Sequence, residues 1–389
     1  MTVVESASPL RIAILGAFPF PLDLGSQIYV RDQVRALTRA GASTTLLCYG
    51  TGNGASTDDI AINRVPHALS ARKLRSGPSL GKPIADAALI GTFIAAHRRH
   101  RFDIALAHNV EAGLAALAAR PLTGVPVVYV AHTLLGEELP HWGPAALDRT
   151  LAATGRAFGR LLARRCDGVL ALCEAAAARF RNSARGPVAM IPPGLDPTPA
   201  PDADQRSHAC KRFGLSPGRF AIYSGNLDRY QDLDLLGEAA ARIPEFDVVV
   251  ATHGEDSSVH PALRTVRVAD HAEMRSLIAA AGVAVLPRRT PGGFPIKLLG
   301  YMEAAAPIVA IEGVAEGLIH DESAWLLPRA VCSEALADGI RRLLMDPERA
   351  RRVGEAARRQ LEAVHGWHSI TERTLTLLEC VRDRSAAAV

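Results

Sequence analysis

The chain has 389 residues, 48% of them hydrophobic, with 32 glycines and 25 prolines, which is too long for one ordinary core and suits two soluble α/β domains built of many short elements. A net charge of +4 on a mixed surface carries no nucleic-acid footprint. The six cysteines (Cys48, Cys166, Cys173, Cys210, Cys332 and Cys380) lack C-x-x-C or zinc-ligand spacing, so most read as small core residues; they favour a reducing compartment and offer no metal site.

The opening MTVVESASPL has neither the basic nor the apolar region of a signal peptide. No apolar run reaches the roughly 18–20 residues that span a bilayer. The expected location is cytoplasmic, with peripheral contact at a membrane left open.

Residues 11–15 (RIAIL) read as a first buried strand running into GAFPFPLDLGSQ, a loop of glycine, proline and polar residues. Val30, Val34 and Leu37 then recur at helical spacing until Gly41 stops the helix. Further strands are predicted at 45–48, 104–107, 127–130, 169–172 and 188–191, alternating with alanine-rich helical runs at 111–119 and 147–165. That alternation predicts βαβ crossovers and a parallel sheet, with a first domain over 1–195. In the second run, Arg156, Arg160, Arg164 and Arg165 interleave with Phe158, Leu161 and Leu162. The pattern fits an amphipathic helix on a membrane surface and equally a helix packing its leucines against the sheet.

Residues 192–208 are rich in proline and poor in apolar surface, as an interdomain linker would be. The strand pattern then restarts at 220–224, 246–251, 266–268, 283–286, 308–311 and 325–327, giving a second domain over 196–365. Residues 333–382 read as helical, divided by Pro347 and Gly366. The last segment, 366–389, is expected to form a helix that crosses back to the first domain.

One stretch, GVAVLPRRTPGGFPIKLLGYMEAAAPIVA (282–310), reads as a strand, a loop containing Gly293, a helix at about 296–305 and a second strand. Such a unit places the first free amides of the helix, those of Leu298 and Leu299, where a phosphate could sit. Lys297 lies in the first turn, where the helix dipole disfavours a cation unless an anion is near. It reads either as a phosphate ligand or as a lysine snorkelling at the surface.

The segments LGSQIYVRDQVRAL, DIALAHN, PVVYVAHT, IPPGLD, SGNLDRYQDLDLL, AVLP, GFPIKLLGYMEAAAPIVA and EGLIHDESAWLLP follow in this order over nearly the whole chain. Together they resemble the retaining GT-B glycosyltransferases of family 4, typified by sucrose synthases and phosphatidylinositol mannosyltransferases. The resemblance implies an α/β protein of GT-B fold, two tandem Rossmann-like, doubly wound domains facing a cleft. The first would bind the acceptor and the second a nucleotide-sugar donor, which is a co-substrate rather than a cofactor. It further implies sugar transfer with retention, to an acceptor left open among lipid, polysaccharide and natural product; a helix N-terminus with Arg229 and Lys297 would stabilise the leaving diphosphate without a metal.

By the same resemblance, His132, directly after PVVYV, is the residue set against the donor sugar and the expected catalytic group. Gly25 and Ser26 let the backbone approach the donor, with Ser26 in place of a more usual glycine. His108 and Asn109, closing the preceding strand, and Glu137 and Glu138 of HTLLGEELP are the candidates for the acceptor.

The sequence departs from the family at four donor positions. Gly292 and Gly300 stand where the family carries paired glutamates, and Asn226 and Gln231 where it carries the arginine and lysine that hold the diphosphate. Each loss removes charge-assisted hydrogen bonds worth roughly 1.5–3 kcal/mol. Arg229 and Lys297 are the candidate replacements, with Asn226 and Gly293 beside them. Glu303, one turn beyond Gly300, is the candidate for a ribose hydroxyl. A non-catalytic GT-B protein acting as a partner or regulator is the alternative these substitutions leave.

Overall fold

The computed structural model describes residues 8–22, 24–50, 52, 57–69, 81–254, 259–290 and 292–387. They form two compact units, one of Met1–Gly194 with Trp367–Val389 and one of Leu195–Gly366.

The first unit runs β1 (Arg11–Gly16), α1 (Gly25–Arg39), β2 (Ser43–Cys48), β3 (Ile62–Arg64), α2 (Lys82–His100), β4 (Ile104–His108), α3 (Asn109–Thr123), β5 (Val127–Ala131), α4 (Leu135–Glu138), α5 (Asp148–Arg165), β6 (Gly168–Ala171), α6 (Glu174–Arg181) and β7 (Val188–Met190). Its seven strands are parallel in the order β3-β2-β1-β4-β5-β6-β7. In β4 and β5 every residue is buried. Helices on both faces leave no solvated side, so continuous apolar runs replace alternation.

The second unit runs α7 (Ala203–Arg212), β8 (Phe220–Ser224), α8 (Leu233–Ala240), β9 (Asp247–Thr252), β10 (Arg264–Arg267), α9 (His271–Ala280), β11 (Val283–Leu286), α10 (Lys297–Glu303), β12 (Ile308–Ile311), β13 (Trp325–Leu327), α11 (Ser333–Met345) and α12 (Pro347–Val364). Its parallel order is β10-β9-β8-β11-β12-β13. Leu236, Val250, Val285, Val309, Leu336 and Ile340 meet in one core between the sheet and its helices. The chain then forms α13 (Trp367–Ala386), which packs in the first unit, with Trp367 stacked on Tyr29 at 5.8 Å.

The proline-rich stretch is a shorter connection than its composition suggests. The Asp202 side chain accepts from the Gln205 amide at 2.8 Å while the Gln205 side chain accepts from the Asp202 amide at 2.9 Å. This capping box starts α7 inside the expected linker.

The helix predicted at 296–305 is α10, Lys297–Glu303. It closes because Ala305 takes φ +48° and the Ala306 amide donates back to the Tyr301 carbonyl at 3.0 Å. An alanine there carries a Cβ that the left-handed region penalises by about 1–2 kcal/mol, part of which glycine gives back through its unfolded-state entropy. Ala305→Gly is therefore expected to stabilise the second unit by about 1 kcal/mol in equilibrium denaturation; a loss of stability would show that the left-handed turn is not strained.

Candidate functional site

In the second unit β8 and β11 are neighbours, yet β8 leads on to β9 and β11 to β12, toward opposite edges of the sheet. At such a switch point the loops part and leave a crevice at the carboxyl ends of the strands. Into it come Tyr223 from β8, Asn226 and Gln231 from the loop that follows, Arg288 from the loop after β11, and Lys297 from the first turn of α10. The Tyr301 hydroxyl accepts from the Ser224 amide at 2.9 Å and ties α10 to β8.

The Lys297 ammonium lies 3.8 Å from the centre of the Tyr223 ring. It donates to the Tyr223 hydroxyl at 2.5 Å and to Gln231 Oε1 at 3.2 Å. Tyr223 in turn donates to the Asn226 carbonyl at 2.6 Å, and Gln231 Nε2 donates to Asn226 Oδ1 at 2.8 Å. Asn226 Nδ2 donates to Asp228 at 2.6 Å and to the Tyr230 hydroxyl at 3.2 Å. Gly225 is required here, since it has φ +127° and a Cβ on it would stand 2.9 Å from Lys297 Nζ.

Arg288 is buried, with its guanidinium 5.2 Å from the centre of the Tyr230 ring and Nε donating to the Thr290 carbonyl at 2.7 Å. Among the described residues neither Lys297 nor Arg288 forms an ion pair. Burial, and then the nearby Arg288, push Lys297 well below the ordinary lysine range, with Asp228 only partly opposing them. Two desolvated cations without a counterion are costly unless an anion completes them. The same burial raises the Tyr223 hydroxyl, so it stays neutral beneath the amine.

Four expectations for this region need correction. The amides of Leu298 and Leu299 are not free, because they donate to the carbonyls of Pro295 and Ile296 at 2.8 and 3.1 Å. Arg229 is exposed on the turn Arg229–Gln231, and among the described residues its guanidinium makes no hydrogen bond or ion pair with these groups. Asn226 spends its side chain holding the loop.

Glu303 is the fourth: it is buried away from the crevice, where it accepts from the amide and hydroxyl of Thr198, each at 2.9 Å, and from Arg275 at 3.1 Å. Its work is to anchor the start of the second unit to α9 and α10. Gly293 is buried in the loop ahead of α10, and a Cβ at Gly300 would meet nothing within 4 Å. Arg288 is the residue that sequence reasoning missed. Its signal was an arginine pair directly after a buried strand, of which Arg289 is taken by Asp232 at 3.1 Å.

In the first unit the switch point lies between β1 and β4. Gly25 and Ser26 open α1, whose N-terminus has no side-chain cap and no acidic residue in its first turn. His108, the last residue of β4, and His132, just past β5, are both buried and joined Nδ1 to Nε2 at 2.8 Å. Tyr29 stands edge-on to both rings, at 6.0 and 5.4 Å, and its hydroxyl accepts from Gln33 at 2.8 Å. His108 Nε2 and Gln33 Oε1 are buried without a partner.

His108 is therefore sealed inside and is not a surface available to an acceptor. His132 keeps only its Nδ1 edge, since Nε2 is committed to His108. Burial lowers His132 to about 4, and burial together with His132 lowers His108 well below its ordinary value, so both rings are neutral at pH 7. Asn109 opens α3 at φ +70°, a conformation asparagine tolerates. On α4, Glu138 accepts from the Thr133 hydroxyl at 2.6 Å and Glu137 lies 3.6 Å from Arg179.

Two parallel doubly wound units with sites at their switch points define a protein of GT-B type. Residues 25–194 match the glycosyl transferase 4-like domain and residues 218–346 the glycosyl transferases group 1 domain. The chain belongs to this family of glycosyltransferases. It is 22% identical to the D-inositol 3-phosphate glycosyltransferase of Pseudarthrobacter chlorophenolicus, over 96% of each chain. Among solved structures, it is similar to sucrose-phosphate synthase from Thermosynechococcus elongatus, with a TM-score of 0.80, 20% identity and coverage of 97% of this chain and 100% of that one. It is also similar to Anabaena HepE in complex with UDP-glucose, with a TM-score of 0.71, 15% identity and coverage of 95% and 99%. At such identities the structural likeness speaks for the fold alone.

Two outcomes follow from this geometry. The unfolded chain binds protons on histidine near pH 6.5, whereas native His132 does so only at about 4. The unfolded state thus holds more protons across that window, so stability falls as pH drops through it and the His132 contribution levels off below. Denaturation of the wild type and of His132→Gln across this range should show the wild type losing its advantage toward low pH, and a constant difference would remove the pair as the cause. For Glu303→Ala the expected cost is about 3 kcal/mol, because Arg275 and Thr198 lose their partner. Glu303→Gln, which keeps an acceptor for Thr198, should cost less, and equal losses would argue against the anchoring role.

Proposed function

We propose that the protein transfers a sugar from a nucleotide-sugar donor to an acceptor hydroxyl, with retention and without a metal, the donor diphosphate being held in the second unit by Lys297 and Arg288. The observation that carries this reading is the pair of cations at the β8/β11 switch point, Arg288 buried and Lys297 partly buried, neither of which forms an ion pair among the described residues. The HepE structure with UDP-glucose on the same fold supports a donor of this class.

As the glycosidic bond breaks, negative charge accumulates on the leaving diphosphate while the sugar becomes oxocarbenium-like. Preorganised cations in a water-poor crevice stabilise that charge without reorganising. Gln231 and the Tyr223 hydroxyl aim the ammonium, and Asn226 holds both. Lys297 thereby takes over from α10 the role that the family assigns to a lysine at position 231. His132, neutral, offers hydrogen bonding to the donor sugar through its Nδ1 edge. Gly25 and Ser26 offer uncapped helix amides. Asn109, Glu137 and Glu138 remain the candidates on the acceptor side, and lipid, polysaccharide and natural-product acceptors stay open.

Thermal shift with UDP, GDP, ADP and dTDP and their sugars tests the donor. A ligand at about 100 times its dissociation constant should stabilise the fold by about 2.7 kcal/mol, and no response to any of them would sink the proposal. Lys297→Met should weaken the responding nucleotide about tenfold or more while leaving the empty protein as stable or more so, since a partly buried cation without an ion pair is removed. Unchanged affinity would take Lys297 out of the site.

A further inference from the structure

Helix α5 carries features that glycosyl transfer does not use. Its sequence, DRTLAATGRAFGRLLARR, has five arginines and, after Asp148, no acidic residue. Gly155, Gly159, Leu162 and Ala163 face inward. The sequence pattern alone allowed all the leucines to pack on the sheet, but the structure buries only Leu162. Phe158 and Leu161 are left 38% and 39% exposed.

At 100° per residue the outer face divides into two lanes. Arg149, Arg156, Arg160 and Arg164 run along one side, while Leu147, Phe158 and Leu161 run along the other with Arg165 among them; all eight are exposed. None of the five guanidiniums meets a carboxylate among the described residues. The acids on neighbouring elements already have partners: Glu137 with Arg179, Glu174 with Arg181 and Asp167 with Arg120. Arg120 also donates to the Arg165 carbonyl at 3.1 Å, which sets the end of α3 beside the end of α5 and adds Leu122, 73% exposed, to the apolar side.

The helix is firmly seated. A Cβ on Gly155 would stand 2.6 Å from the Leu135 carbonyl, and one on Gly136 would stand 2.6 Å from the Arg156 side chain. Only glycines allow α4 and α5 to approach so closely. The exposed lanes thus belong to a rigid surface of the first unit, tied through α4 to the loop that carries His132.

We propose that the outer face of α5 docks on an anionic lipid bilayer, its arginines on headgroup phosphates and Phe158 and Leu161 in the acyl boundary. A bilayer surface meets both lanes at once, because long arginine stems reach headgroups while the apolar lane sinks below them. No helix among the described residues is long and apolar enough to cross a membrane, so the attachment is peripheral. The proposal is independent of which donor the second unit takes.

Co-sedimentation of the full chain with phosphatidylcholine vesicles, with and without phosphatidylglycerol, tests it. Binding is expected only to the anionic vesicles and should weaken with salt. Near the surface each arginine is worth about fivefold in partition, so Arg160→Glu/Arg164→Glu should weaken binding about twentyfold or more. Phe158→Ser/Leu161→Ser should also release the protein, whereas Arg351→Glu/Arg352→Glu on α12 should not. Should the serine variant fail to fold, the glutamate variant alone decides. Absence of binding, equal binding to neutral vesicles, or self-association abolished by the same substitutions would overturn the proposal.

Discussion

In each unit a parallel sheet turns its chain outward from a central pair of strands, and that topology dictates where chemistry can occur. Right-handed crossovers carry the helices after β8 and β11 to opposite edges. Between those two strands the loops part and leave a crevice at the carboxyl ends of the sheet. The Lys297 ammonium on the Tyr223 ring occupies this place, where its direct contacts are a ring, a carboxamide and a glycine backbone, and no ion pair forms among the described residues.

The two units fill equivalent positions with opposite electrostatics. In the first, Tyr29, His108, His132 and Gln33 form a neutral buried network with two orphaned atoms. In the second, neutral Asn226, Gln231 and Tyr223 steer two cations. A neutral network can orient hydroxyl groups, whereas partly desolvated cations without an ion pair select an anion.

Substitutions that look like losses in the sequence become a rearrangement in space. Gln231 lacks a charge of its own but accepts from Lys297, so an ammonium still reaches the crevice from a different element. Arg288 adds a guanidinium from the other side of the switch point. Glu303, the acid that seemed best placed to compensate for Gly300, turns the other way and bonds Thr198 and Arg275. The direction of a side chain about its helix axis decided that, and it depends on which neighbours the helix packs against.

Sequence by itself determined the two parallel sheets, their strand cores and the breaks at Pro347 and Gly366, because burial on both faces and the backbone limits of proline and glycine act locally. It also exposed the conflict at Lys297, a cation at the wrong end of a helix. Tertiary structure decided everything that rests on partners distant in the chain. Tyr223 and Gln231 lie 74 and 66 residues from Lys297, Thr198 lies 105 from Glu303, and His108 lies 24 from His132. The spent amides of Leu298 and Leu299, the sealed His108, the missed Arg288 and the outward lanes of α5 share one physical reason. Local periodicity fixes which residues lie on one face, but only packing fixes what that face meets.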